Sequence, residues 1–180
     1  MEAQFSAERT RVQEAEISER ARVEVAQIAI GDRLRGAIGH ELVLVLFGGE
    51  RIAGVLGHVG KDWLIMSQGT RQWLVPWWSV SFLEGLGRLA RKPSPGVGGS
   101  LGMASALRGL ARNRAEVAVH VASAGRASRV FEGVIDRVGA DHLDVAVTRG
   151  EARRAGAVVS VVTVPFAALA AVCSLGGQDY

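Results

Sequence analysis

Cysteine, lysine and long apolar runs are all scarce in this chain. Its 180 residues include one cysteine, Cys173, which excludes an internal disulfide and is expected to be a small buried residue. The longest apolar runs, 42–47 and 157–172, are too short or too interrupted to cross a bilayer of about 30 Å. The first residues mix acids and bases, unlike a secretory signal or a transit peptide. We therefore predict a cytoplasmic protein that does not enter a membrane.

The composition is that of a globular chain. Hydrophobic residues make up 48% and charged residues 22%, enough for one sizeable core or two small ones. The net charge is +3, and only two of the 21 basic residues are lysine. Abundant Arg, Ala, Gly and Val are typical of coding in a GC-rich genome, so the preference for Arg over Lys says nothing about its contacts.

An internal repeat is the main signal in the sequence. The stretch GVLGHVGKDWLIM (54–66) returns in altered form as GVIDRVGADHLDV (133–145). Six identical pairs share an offset of 79: Gly54/Gly133, Val55/Val134, Val59/Val138, Gly60/Gly139, Asp62/Asp141 and Leu64/Leu143. Each copy predicts two short strands joined by a tight turn, in which Gly60 and Gly139 are expected to take a positive φ.

The rest of the chain extends this repeat. Val-Pro recurs at 75–76 and 164–165, and Leu-Arg-Gly recurs at 34–36 and 107–109. Each half is therefore predicted to be a short helix, capped by Asp32 or Ser100, followed by five strands. Gly54 is expected to mark a sharp bend in its strand. The predicted organisation is an N-terminal acidic helical extension (1–30), a first small barrel (31–87), a basic Gly/Pro linker (88–104) and a second small barrel (105–175).

A helix followed by five bent strands, with a glycine in the second, resembles the Sm-like branch of the SH3-type small barrels, the family of the bacterial host-factor RNA chaperone. The stretches at 32–35, 59–64 and 163–169 are also similar to two-repeat proteins of GC-rich bacteria, which are sometimes described as transcriptional regulators. The resemblance implies two tandem five-stranded barrels. The Sm-like pattern expects an Asp and an Asn where this chain has Gly60 and Leu64, or Gly139 and Leu143. The family's uridine-binding residues therefore cannot be carried over.

Candidate catalytic chemistry is weak. Six His and Asp residues lie near the two turns, but solvent-facing positions and local backbone bonding explain them better than a metal site: His58, Asp62, Asp136, Asp141, His142 and Asp144. GVGGSLG (96–102) lacks the preceding strand and the following Lys of a phosphate loop. Nothing indicates a catalytic triad or a carboxylate pair, so we expect neither an enzyme nor a cofactor.

A basic segment carries the strongest functional signal. No acidic residue occurs between Glu84 and Glu116, whereas six basic residues do: Arg88, Arg91, Lys92, Arg108, Arg112 and Arg114. Such a segment can follow a phosphate backbone with salt-sensitive affinity. Arg149, Arg153 and Arg154 would extend it. In the alternative reading, these side chains solubilise a linker or pair with the acidic N-terminal helix.

All four tryptophans lie between residues 63 and 78. Alternation places Trp77 and Trp78 on opposite faces of a strand, so at least one is expected to meet solvent or a partner. An exposed Trp favours a protein interface. The alternative is that one of them covers the boundary between the two halves. These patterns together predict a non-enzymatic regulator or adaptor that binds DNA or RNA weakly. The runner-up is a protein–protein scaffold or oligomerisation module that uses the Trp surface and has no nucleic-acid role.

Overall fold

The computed structural model describes residues 19, 20, 22, 23, 25–93, 101–123, 126–147 and 160–175. Its centre is one open sheet of ten strands, in which every neighbouring pair is antiparallel, in the order β5-β1-β2-β3-β4-β10-β6-β7-β8-β9. The strands are β1 (Glu41–Leu46), β2 (Arg51–Val59), β3 (Trp63–Gln68), β4 (Arg71–Pro76), β5 (Val80–Glu84), β6 (Glu116–Ser123), β7 (Arg126–Val138), β8 (His142–Val147), β9 (Ser160–Pro165) and β10 (Leu169–Ser174). Two helices precede the strand sets, α1 (Ile30–Gly36) and α2 (Met103–Arg112).

The repeat is visible in the strand register. Val59 pairs with Leu64 in the first half (residues 30–93), and Val138 pairs with Leu143 in the second half (residues 101–175). A bulge interrupts both pairings at the same place, between Leu56 and His58 and between Ile135 and Arg137. Both Val-Pro pairs end a strand and lead into a single 3-10 turn, Trp77–Ser79 or Phe166–Ala168. The two stretches therefore have the same local structure.

The predicted pair of small barrels is wrong. The two halves do not close separately, because β4 of the first half pairs with β10 of the second and continues the sheet. In this joint, Leu74 lies opposite Val172 and Trp73 lies opposite Cys173. β4 and β10 would be edge strands if the halves were separate. By pairing with each other they provide partners for their backbone groups, which is an alternative to closing each half on itself.

The joint also mixes the two cores. Trp63 and Leu74 of the first half are buried in a cluster with Met103, Leu107 and other residues of the second half. Conversely, Ala171 and Cys173 of the second half are buried in the cluster of the first. Each half therefore completes the other's core, which couples their stabilities.

Two glycine predictions have different outcomes. A Cβ on Gly54 would lie 2.2 Å from the carbonyl oxygen of Ser67, so β2 needs glycine where β3 crosses closely. Gly60 does not take the predicted positive φ, nor does Gly139. Glycine is needed at Gly60 because a Cβ there would lie 2.3 Å from the buried Trp63 ring. A Cβ on Gly139 would lie 2.4 Å from the His142 ring, which is partly exposed and has room to move.

The helices begin at residues other than those predicted. The N-cap of α1 is Ala29, and Asp32 lies in the first turn, where it pairs with Arg35 at 2.8 Å. The N-cap of α2 is Gly102, and Ser100 lies outside the described residues. The described part of the predicted N-terminal extension includes helical residues at 19, 20, 22, 23, 25 and 26, whose side chains are exposed. Residues 1–18 lie outside the described chain.

Candidate nucleic-acid interface

Helix α2 presents two arginines on a face beside its core contacts. Met103 and Leu107 are buried, four residues apart on one face, and they anchor the helix on the second half. Arg108 and Arg112 are exposed and also four residues apart, so they share a second face. The amphipathic pattern of this helix therefore places two guanidinium groups together at the surface.

The two arginines meet a third across an open groove between α2 and β7. Arg108, Arg112 and Arg137 line this basic groove, which has a volume of about 600 Å³. Arg108 Nη2 donates to the carbonyl oxygen of Gly139 at 3.2 Å and fixes the helix to the β7–β8 turn. Among the described residues of the lining, Asp136 is the one carboxylate, and its Oδ2 lies 3.7 Å from Arg137 Nε. Both side chains are exposed, Arg137 more than Asp136. Three guanidinium groups against one carboxylate leave the groove positive.

Three of the other four predicted residues, Arg88, Arg91 and Lys92, lie on the first half. After β5 the chain runs back across α1, where Arg91 N–H donates to the carbonyl oxygen of Asp32 at 2.8 Å. Arg33 of α1 holds the same stretch by donating to the carbonyl oxygens of Leu86 and Gly87. Arg88, Arg91 and Lys92 are exposed there. Residues 94–100, which connect this stretch to α2, lie outside the described chain.

Arg114 lies just beyond the end of α2, exposed and at a φ of +46° that few non-glycine residues adopt. Arg149, Arg153 and Arg154 lie outside the described residues. The structure thus brings Arg108 and Arg112 together with Arg137, a residue that the sequence interpretation did not select. Arg137 lies in the second copy of the repeat, but nothing in the sequence shows that α2 packs beside it.

The two adjacent tryptophans lie in the 3-10 turn after β4 rather than within a strand. Trp77 is half-buried, and its ring leaves no room for a Cβ on Gly31 of α1, at 2.4 Å. Trp78 is 39% exposed, and its Nε1 donates to the carbonyl oxygen of Phe166 in the second half at 3.0 Å. Part of the predicted interface therefore contacts the chain itself, and Trp78 bridges the two halves.

Both histidines near the turns contact neighbouring side chains. His142 Nδ1 lies 2.8 Å from Asp141 Oδ1, a hydrogen bond that lowers the pKa of the Asp141 carboxyl below its ordinary value. His58 stacks on Trp63 with ring centroids 5.1 Å apart. Within the described ranges, no three His, Cys, Asp or Glu side chains gather closely enough to hold a metal ion.

No model of a protein family matches the sequence, and a search of curated proteins returns no match. Across the parts of the chain that the structure describes, no helix has both the length and the apolar character needed to cross a bilayer.

Proposed function

We propose that this protein is a non-enzymatic regulator or adaptor that binds nucleic acid weakly through the arginines of α2. The observation that carries the proposal is the basic groove, in which Arg108, Arg112 and Arg137 face the same solvent space. Six basic residues between 88 and 114 are exposed and add positive charge to this part of the chain.

Guanidinium groups suit this role because their planar donors match phosphate oxygens in pairs. The groove holds no aromatic side chain on which a base would stack. Contacts of this kind position a phosphate backbone and carry no direct sequence information. The expected binding is therefore independent of sequence, and each neutralised phosphate steepens its dependence on salt.

The test measures the anisotropy of labelled duplex DNA and single-stranded RNA with the full chain at two salt concentrations. We expect binding at low salt that weakens strongly at high salt. The variant Arg108→Glu/Arg112→Glu should abolish binding, because each reversal removes an attraction and adds a repulsion. No binding of the wild-type chain at low salt would overturn the proposal.

A control variant matches the change in net charge. Arg22→Glu/Arg129→Glu replaces two exposed arginines outside the groove. This variant should retain most of the binding at low salt. Equal loss in both variants would show that net charge, and not the basic groove, determines binding.

The second candidate function, a protein-interaction or oligomerisation module, draws support from a different feature than the predicted Trp77 and Trp78 surface. The sheet ends in two edge strands, β5 and β9. They are repeat counterparts of β10 and β4, the two strands that pair where the halves meet.

A further inference from the structure

The two outermost strands of the described sheet are repeat counterparts of the two strands that meet in its middle. By the offset of 89, β9 corresponds to β4, and β5 corresponds to β10. The match extends to register, because β5 pairs with β1 and β10 pairs with β6 around the same bulge. The chain therefore contains one complete joint, between β4 and β10. The second strand of each type, β9 or β5, lies at an end of the described sheet.

An apolar groove lies beside β5, whereas the equivalent space beside β10 is occupied by side chains of the first half. This edge groove, of about 400 Å³, lies between α1 and β5 and is lined by Ile30, Leu34, Val80, Phe82 and Leu83, among others. The counterparts of Ile30, Leu34 and Leu83 in the second half are Met103, Leu107 and Val172, which are buried against Trp63 and Leu74. Ile30 is 52% exposed and Met103 is 2% exposed, so the same position is covered in one half and open in the other.

Phe82, the neighbour of Leu83 on β5, shows the same difference. Phe82 is 50% exposed, whereas its counterpart Ala171 is fully buried against the first half. On β9, Val161 is 58% exposed, so both edges present apolar side chains to solvent. Pro165 at the end of β9 does not block pairing, since its counterpart Pro76 occupies the same place in β4.

We propose that copies of this chain associate head to tail, with β9 of one copy pairing with β5 of the next and covering the edge groove. Transfer of the internal register places Thr163 opposite Leu83 and Val162 opposite Glu84. Because the two edges differ, the contact is heterologous, and repeated addition gives a ring or an open chain.

The proposed β9–β5 contact between copies, the outer joint, has opposite charges at two positions that are apolar in the internal β4–β10 joint. In the internal joint, Ile65 and Ala106 line one cavity together with Leu74. Their counterparts are Asp144 and Arg33, so a carboxylate of one copy would face a guanidinium of the next. Asp144 already accepts a hydrogen bond from Thr163 Oγ1 at 2.6 Å, which holds it at this edge.

The outer joint is weaker than the internal one because of Glu84. Its counterpart Cys173 is buried, whereas Glu84 is exposed and paired with Arg51 at 3.2 Å. Covering this strand would remove solvent from a charge, and charges on edge strands are known to oppose pairing. Association should therefore depend on concentration, and Glu84→Ala should strengthen it.

The test begins with sedimentation of the full chain over a wide concentration range. We expect an average mass that rises above 19.0 kDa as concentration increases, and that rises at lower concentration in Glu84→Ala. Thr163→Arg, at an exposed position of β9, should keep the chain monomeric. Thr70→Arg makes the same change at an exposed turn between β3 and β4 and should leave association unchanged.

Disulfide trapping then identifies the edges. Directly opposite residues of an antiparallel pair have Cα atoms about 4.5–5.5 Å apart, within the range of a disulfide. Mixing Glu84→Cys chains with Val162→Cys chains under mild oxidation should give a linked dimer that neither variant gives alone, and the wild-type chain controls for buried Cys173. Monomeric mass at every concentration in both wild type and Glu84→Ala would overturn the proposal. A second result would also overturn it. If Glu84→Cys chains alone form a linked dimer as readily as the mixture does, the contact is a symmetric β5–β5 pairing.

Discussion

Trp63 and Leu101 lie 38 residues apart in the chain, yet Trp63 Nε1 donates a hydrogen bond of 2.8 Å to the carbonyl oxygen of Leu101. The ring belongs to β3 of the first half, and the carbonyl lies just before α2 of the second. The indole is 6% exposed and packs with Met103 and Leu107. This contact attaches the helix that carries the basic groove to the opposite half of the sheet.

Trp63→Ala should therefore lower the free energy of unfolding by about 3–5 kcal/mol, the range for truncating a buried aromatic side chain. Trp63→Phe keeps most of the apolar contact and should lose about 1 kcal/mol with the hydrogen bond. Urea unfolding followed by circular dichroism measures both. The matched control is Trp78→Phe, which also removes an indole donor but at a more exposed site, and should cost less. An equal cost for the two Phe variants would contradict this account.

The strand glycines give a second prediction. Gly54→Ala and Gly133→Ala should each destabilise the fold by more than about 2 kcal/mol, because the added Cβ would lie 2.2 or 2.1 Å from a backbone carbonyl oxygen that only a strand shift can move. Gly57→Ala is the control within the same strand, since its Cβ would make ordinary contacts at 3.7 Å and beyond. Thermal unfolding of the three variants checks the order. A normal melting temperature for Gly54→Ala would show that the strands separate easily there.

Much of this local structure could be predicted from the sequence, because the repeat marks equivalent positions. Both turns and the Val-Pro strand ends follow from residues that recur at fixed offsets. The role of Gly60 did not follow. Glycine meets a need for either a positive φ or free space, and the sequence does not show that the Trp63 ring lies over this turn.

The joint between the halves was beyond sequence reasoning for a different reason. Five strands with a bending glycine are compatible with a closed barrel or with an open sheet that continues into a neighbour. The choice depends on β4 and β10, which lie about a hundred residues apart and pair through only two directly opposed positions, Leu74/Val172 and Trp73/Cys173. The basic groove could not be predicted for the same reason, because Arg137 comes close to Arg108 only through the packing of α2 on β7.

A partly buried polar pair across the joint allows a third prediction. His120 of β6 is 8% exposed, its Nδ1 lies 3.0 Å from Glu50 Oε2 of the β1–β2 turn, and its ring contacts Trp73. A double-mutant cycle with Glu50→Ala and His120→Ala should give a coupling free energy of about 1–2 kcal/mol. The same cycle for the exposed Arg51–Glu84 pair should give less than about 0.5 kcal/mol. Similar values for both pairs would mean that the His120–Glu50 contact does not hold the halves together.

Cys173 reports whether the joint opens as a unit. The thiol is buried on β10 opposite Trp73, and burial raises its pKa above the ordinary value of 9.0. Because the folded pKa is the higher one, the thiol's contribution to the free energy of unfolding is fully present below about pH 9 and decreases as the pH rises further.

Because the Cys173 thiol is buried, its reaction with a thiol reagent at neutral pH should require opening of the β4–β10 pairing. Trp73→Ala should speed labelling at least tenfold while Trp78→Phe leaves the rate nearly unchanged, as followed by mass spectrometry. Rapid labelling of the wild-type chain, at the rate of the urea-unfolded protein, would show that β4 and β10 separate freely in the native state.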